Sequence, residues 1–205
     1  MKNNEIKKWY CTVKTKIKMR LAEFKTPKTD REVFEELCFC ILTANASARM
    51  GLNSISAIRR NLLNIDEEKL KIELKGKHRF YNARAGYIIH TREYLKKLCG
   101  LKMNKFLNSF EDVFILRKYI AENKDIKGIG YKEASHFLRN IGYSGLAILD
   151  KHILNCLKES GVIDLQDRKY TDIERKMAAF SKKIGIPMDE LDLTLWSYKT
   201  GEILK

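Results

Sequence analysis

The sequence predicts an all-α protein of about ten helices, and three observations predict it. Apolar residues recur at spacings of three and four along nearly the whole chain, and alternating strand patterns are absent. Only two prolines occur in 205 residues, so long helices run unbroken. Helix-start and helix-stop residues punctuate the periodic segments at intervals typical of short globular helices.

Taken in order, Ile6, Tyr10, Val13, Ile17, Leu21 and Phe24 form one amphipathic face, ended by Pro27. Thr29 with Glu32 makes a capping box for the next helix, whose face is Val33, Phe34, Leu37, Ile41 and Leu42 and which stops near 43–45. Met50, Leu52, Ile55 and Ile58 mark a third helix. Asn64 with Glu67 is expected to cap a short fourth, closed by Gly76. Residues 83–98 form a further helix stopped by Gly100, and Ser109 is expected to cap the one after it. Beyond a glycine turn, Ala134, Phe137, Leu138 and Ile141 share a face that ends at Gly142. Asp150 is placed to cap a helix through Ile153, Leu154 and Leu157. Thr171 with Glu174 reads as another capping box, ahead of Ile173, Met177, Phe180 and Ile184. Pro187 then opens a last helix that Gly201 ends.

The chain is long enough for one domain or two small lobes, and it contains no repeat, low-complexity tract or evident linker. Forty Lys plus Arg against 26 Asp plus Glu give a formal charge of +14, which suits a polyanion, nucleic acid ahead of an anionic membrane. A generally lysine-rich proteome would give the same balance without such a partner. No run approaches the roughly 20 apolar residues of a membrane span. The start, MKNNEIKKWY, lacks the apolar core of a signal peptide, so no membrane association and a cytoplasmic protein are expected. The five cysteines are scattered with no C-x-x-C pair, which argues against a zinc site or iron–sulfur cluster; no metal ligands are assigned.

The chemistry concentrates in IKGIGYKEASHFLRNIGYSGLAILDKH, residues 126–152. Gly128, Ile129 and Gly130 form a tight turn that opens onto a helix, a ready seat for a phosphate. Lys132 lies in that helix's first turn and Asp150 follows eighteen residues later. A lysine and an aspartate beside a DNA strand suggest chemistry on the sugar. Nucleophilic attack needs the neutral amine, and a helix N-terminus and partial burial both disfavour the ammonium form, whereas a nearby carboxylate opposes them. Taken singly, Lys132 also reads as a solvated helix-start lysine and Asp150 as an ordinary N-cap.

This stretch resembles the helix-hairpin-helix of the DNA glycosylase/AP-lyase superfamily, whose hairpin reads I-x-G-[IV]-G-x-K and whose downstream aspartate sits in a D-x-H step. Ile126, Gly128, Ile129, Gly130 and Lys132 match the first, and Asp150, Lys151 and His152 the second. The resemblance implies a two-lobed helical bundle with the hairpin motif over 117–142. It divides the single 1–205 unit into one lobe of approximately 30–122 and another of 1–29 with 123–205. It places the catalytic lysine and aspartate at Lys132 and Asp150, and phosphate contacts at Gly128, Gly130 and His152. His152 reads equally as a solvated surface histidine. Endonuclease III-like members carry four C-terminal cluster cysteines, and residues 157–205 contain none.

Asn45, in Leu42-Thr43-Ala44-Asn45-Ala46-Ser47, matches the family's segment whose amide enters the stack vacated by a flipped base; it also reads as a helix C-cap. The basic turn around Arg79, with Arg84 beyond it, flanks Phe80 in a pattern that suits backbone contact with base stacking; core packing of Phe80 is the alternative. The tail from Leu195 to Lys205 is similar to that of the compact second family of 8-oxoguanine DNA glycosylases. There a terminal lysine's carboxylate recognises the guanine edge and a tryptophan stacks on the base, so the resemblance implies base recognition by Lys205, Trp196 and Phe80. By themselves the last residues read as an ordinary frayed end and Trp196 as a core residue.

The expected function is a bifunctional enzyme that excises 8-oxoguanine from duplex DNA through a lysine Schiff base and nicks the strand by β-elimination. Its partner is double-stranded DNA containing damaged guanine. It is expected to act as a cytoplasmic, nucleoid-associated monomer without a cofactor, with a monovalent cation at the hairpin left open. An oxidised-pyrimidine glycosylase/lyase and a non-catalytic helix-hairpin-helix DNA-binding module are the alternatives.

Overall fold

The structure is a computed structural model and describes residues 2–203. Among these are eleven helices and no strand: α1 (Asn3–Phe24), α2 (Asp30–Thr43), α3 (Ala48–Ile58), α4 (Glu67–Leu74), α5 (Tyr81–Cys99), α6 (Met103–Leu107), α7 (Val113–Glu122), α8 (Tyr131–Asn140), α9 (Lys151–Glu159), α10 (Tyr170–Ile184) and α11 (Met188–Thr200). The all-α expectation is met. The extra helix is the short α6, five residues with too little periodicity to read from sequence. No described helix is long and apolar enough to cross a membrane.

Three expected caps differ. Asp66, not Asn64, caps α4 and accepts the Lys69 N–H at 2.8 Å. Asp112, not Ser109, caps α7, with one oxygen taking the N–H groups of Phe114 and Ile115. The Thr171–Glu174 pair is no cap, because α10 already starts at Tyr170 and Glu174 turns inward. For α4 and α7 a carboxylate nearer the helix start displaces the weaker candidate, whereas Lys169 stands at the start of α10 with no side-chain cap bond. The Thr29–Glu32 box forms as expected.

The chain divides into two compact units, Met1–Thr26 with Gly142–Lys205, and Pro27–Ile141. The first holds α1, α9, α10 and α11. Its core joins Ile6 and Tyr10 of α1 to Leu157, Met177, Leu191 and Leu195. The second holds α2 to α8. Residues 123–141 therefore belong with α2 to α7, whereas the sequence reading assigned them to the other lobe. The reason is the amphipathic face of α8: Ala134, Phe137 and Leu138 are buried where α8 packs on α2 and α7. Asn140, itself 1% exposed, donates to Glu36 of α2 at 2.7 Å. Together these make the hairpin part of the second unit's interior.

Candidate active site

The glycine turn between α7 and α8 is docked on α5. The Lys127 N–H donates to Thr91 Oγ1 at 2.9 Å and the Asn123 amide donates to the Tyr94 hydroxyl at 2.9 Å. Ile126 and Ile129 are buried and pin the turn from beneath. Gly128 has φ +74°, and a Cβ there would lie 2.7 Å from Cδ2 of Tyr87, so conformation and space both demand glycine. Gly130 differs, with φ −109° and nothing nearer to a Cβ than Glu133 Oε2 at 3.5 Å. The N–H groups of Gly128 and Ile129 donate to no acceptor among the described residues. Two unspent backbone donors next to the N-terminus of a ten-residue helix are the polarity that attracts a phosphate.

Lys132 occupies the first turn of α8, and its Nζ lies 2.8 Å from Oε1 of Glu133. The other Glu133 oxygen accepts the Gly130 N–H at 3.3 Å. One carboxylate thus ties the amine to the turn that precedes it. Glu133 escaped the sequence reading, although its position three residues after Gly130 is the acidic place of a capping box.

Asp150 caps α9 as expected, accepting the Ile153 N–H at 2.8 Å. The apolar run before it, Leu146–Leu149, is buried. Backbone on this approach to α9 needs partners, and three acidic side chains of the same unit supply them. The N–H groups of Gly145, Ala147 and Ile148 donate to Asp189 at 3.0 Å, Glu174 at 2.9 Å and Asp192 at 2.9 Å. The Tyr170 hydroxyl donates to the Ala147 carbonyl at 2.5 Å. This clamp fixes the approach to Asp150. Asp192 lies between Leu191 and Leu193 on a buried stretch of helix, and that charged residue in an apolar row is the signal that could have found it. Lys132 lies in the second unit and Asp150 in the first.

A family model for 8-oxoguanine DNA glycosylase matches residues 17–186, most of the chain. The chain belongs to the 8-oxoguanine DNA glycosylase family. A relative in Methanocaldococcus jannaschii named 8-oxoguanine DNA glycosylase/AP lyase is 41% identical, over 100% of this chain and 96% of its own. One of the same name in Fusobacterium nucleatum is 38% identical, over 98% and 97%. Among solved structures, the M. jannaschii 8-oxoguanine glycosylase/lyase in complex with a 15mer DNA containing 8-oxoguanine matches with a TM-score of 0.88 at 39% identity, covering 99% of both chains. The 8-oxoguanine DNA glycosylase of Thermotoga maritima matches with a TM-score of 0.86 at 33% identity, covering 99% of this chain and 98% of that one.

The other residues singled out in this family member divide into exposed and interior ones. Asn45 is exposed in the loop between α2 and α3, in the left-handed conformation with φ +57°. Phe80 is 43% exposed rather than packed in the core, and the Arg79 guanidinium lies 4.5 Å from the centre of its ring. Arg79 also donates to the Asn45 carbonyl. Arg84, expected on the DNA backbone, is instead 6% exposed and donates to the Ala44 carbonyl. Burial pulls its guanidinium below the usual arginine range, partly offset by Tyr87 and Glu133. His152 is exposed on the first turn of α9, and Trp196 is half-buried against its unit's core. Lys205 lies outside the described residues.

Proposed function

We propose that this chain is a bifunctional DNA glycosylase/AP lyase that removes 8-oxoguanine from duplex DNA, with Lys132 as the attacking amine and Asp150 as its carboxylate partner. The observation that carries the assignment of the nucleophile is its placement: Lys132 stands in the first helical turn after a glycine turn with two unspent backbone donors. A phosphate seated on those donors brings the neighbouring sugar within the reach of a first-turn lysine. Family membership and the names of the relatives support the lesion and the two activities.

In this reading the Lys132 amine attacks C1′ as the damaged base departs with the bonding electron pair, and the opened sugar is held as a Schiff base. Loss of the C2′ proton then expels the 3′ phosphate and nicks the strand. Asp150, at its helix N-terminus, stabilises positive charge developing on the sugar. Phe80 and Trp196 supply aromatic surface for the extruded base, with Lys205 reading its edge; Asn45 fills the gap, and His152 and the exposed Arg79 meet the phosphates.

The reaction so written uses the chain's own amine and carboxylate and no cofactor. The cysteines do not suit a cluster: Cys38 and Cys40 are buried on α2, Cys156 is buried in the other unit's core and Cys11 is exposed on α1. The proposed enzyme acts as a monomer on the chromosome, in the cytoplasm. A monovalent cation at the hairpin would make DNA affinity depend on whether potassium, sodium or choline accompanies the chloride.

The test is borohydride trapping on a duplex carrying 8-oxoguanine, with thymine-glycol and undamaged duplexes alongside. A covalent adduct on the 8-oxoguanine strand, lost in Lys132→Gln while DNA binding persists, is the expected result. An adduct on thymine glycol alone would overturn the substrate. No adduct on any duplex, despite tight salt-sensitive binding, would overturn the amine mechanism.

A further inference from the structure

The loop that carries Asn45 is built in an unusual way. It leaves the end of α2, where the last carbonyls have no helical partner. Within the second unit, one short run supplies those partners: His78 Nε2 lies 2.8 Å from the Leu42 carbonyl oxygen, Arg84 donates to the Ala44 carbonyl and Arg79 to the Asn45 carbonyl. Three carbonyls in four residues are therefore held from residues 78–84. The arrangement keeps Asn45 at φ +57°, a conformation that costs most residues energy without support.

Arg84 is the interior member of the three. Its guanidinium lies 5.5 Å from the centre of the Tyr87 ring and 6.0 Å from that of Phe80. Its other terminal nitrogen lies 3.0 Å from where a Cβ on Gly128 would be. The same side chain therefore touches the Asn45 loop with one arm and packs against the hairpin glycine with the other. Its Nε is buried and meets no acceptor among the described residues, so the side chain retains a desolvation cost for this placement. A side chain with one flexible charge could not span both contacts; the planar fork of arginine can.

We infer that Arg84 is a positioning residue for base extrusion, holding the Asn45 loop in its left-handed form at a fixed place relative to the hairpin that carries Lys132. The inference rests on the glycosylase reading of Asn45 and extends it. Arg84 touches no DNA in this role. It acts on the step in which a base leaves the stack, and an abasic site has no base to unstack.

The experiment compares wild type, Arg84→Lys, Asn45→Ala and the double variant in single-turnover excision of 8-oxoguanine. Borohydride trapping on pre-formed abasic duplex runs in parallel, with 2-aminopurine beside the lesion to report extrusion. Arg84→Lys should slow excision about tenfold or more and lose the fluorescence rise, as expected for a buried charge-assisted bond. Abasic trapping should stay within about twofold, and the double variant should be about as slow as the slower single variant. Losses that multiply, excision at the wild-type rate, or trapping that falls in step with excision would each overturn the inference. Should Arg84→Lys fail to fold, Arg84→Met supplies the second variant: it keeps the packed stem, releases the Ala44 carbonyl and should give the same split. If the wild-type protein neither excises 8-oxoguanine nor traps abasic DNA, the glycosylase reading fails by itself. Hydrogen exchange across residues 43–47 then decides the hold on the loop, faster exchange in the variant supporting it and unchanged exchange overturning it.

Discussion

The amine of Lys132 is held 2.8 Å from a carboxylate oxygen of Glu133, whose second oxygen accepts the Gly130 N–H. The side chain assigned to attack the sugar is thus folded back onto its own helix start and must leave that pair to react. Lys132 is 27% and Glu133 14% exposed at the side chain, so screening reduces the tie to about 0.2–1 kcal/mol. Glu133→Gln keeps an acceptor for Gly130 and removes the charge. It is expected to leave the melting temperature nearly unchanged and to speed borohydride trapping on abasic DNA by about twofold to fivefold. A slower variant would mean that Glu133 assists the chemistry instead of restraining it.

The two hairpin glycines should answer differently to the same substitution. Gly128→Ala would hold a side chain at φ +74° and drive its Cβ to 2.7 Å from the Tyr87 ring. Conformational strain and overpacking together should cost about 2–4 kcal/mol in denaturant unfolding. At Gly130 a Cβ meets only Glu133 Oε2 at 3.5 Å and φ is −109°, so Gly130→Ala should cost less than about 1 kcal/mol. If the exposed Gly130 backbone closes on a DNA phosphate, Gly130→Ala will weaken DNA binding at nearly wild-type stability. Equal stability losses at both positions would contradict the difference in their surroundings.

Much of this architecture is legible in the sequence because it follows from periodicity and caps. Asp150 at a helix start and the Thr29–Glu32 box are local signals, readable within four residues. What escaped is tertiary. Arg84 reads as one more basic residue, yet it shares a helical face with Ile88, Thr91, Arg92 and Leu95, all buried on α5. The register of that face was the available clue. The carbonyls that Arg84 and His78 serve belong to residues 36 to 40 positions away, and no local pattern encodes such a pairing. The unit boundary escaped for a related reason. The amphipathic face of α8 says that it packs, and its partners, α2 and α7, emerge only in the fold.

Stability should depend on pH through His78. The ring is 2% exposed, its Nδ1 accepts the Phe80 N–H at 3.0 Å, and its Nε2 lies 2.8 Å from the Leu42 carbonyl oxygen. These partners assign a neutral ring with the proton on Nε2; a second proton on Nδ1 would face the Phe80 donor. Burial lowers the ring's pKa from 6.5, the Leu42 carbonyl opposes this, and the charges of Arg84 and Arg79 lower it further. The unfolded chain therefore binds the proton more readily. The neutral ring's contribution is fully present above pH 6.5 and is lost as pH falls from there through the folded-state pKa. Its slope in that window is at most about 1.4 kcal/mol per pH unit. Denaturant melts from pH 8 to pH 5 should show this loss, and His78→Gln should remove its share of it. Identical pH profiles for the two proteins would refute the assignment.

The cap that Asp150 forms and the charge role proposed for it can be separated by substitution. As an N-cap it accepts the Ile153 N–H at 2.8 Å, and asparagine caps a helix about as well. In its proposed role as a charge beside the sugar it has no neutral substitute. Asp150→Asn should therefore keep stability within about 0.5 kcal/mol while slowing excision by about a hundredfold, the scale of losing one preorganised electrostatic group. Asp150→Ala should lose the same activity and a further ~1 kcal/mol of stability, because α9 then starts without its cap. Paired measurements of single-turnover rate and chemical denaturation on both variants resolve the two effects. If Asp150→Asn cleaves at the wild-type rate, the carboxylate is only a cap, and charge stabilisation at the sugar must come from elsewhere. If both variants lose stability equally, the Ile153 bond depends on the charge of Asp150 and not on its shape.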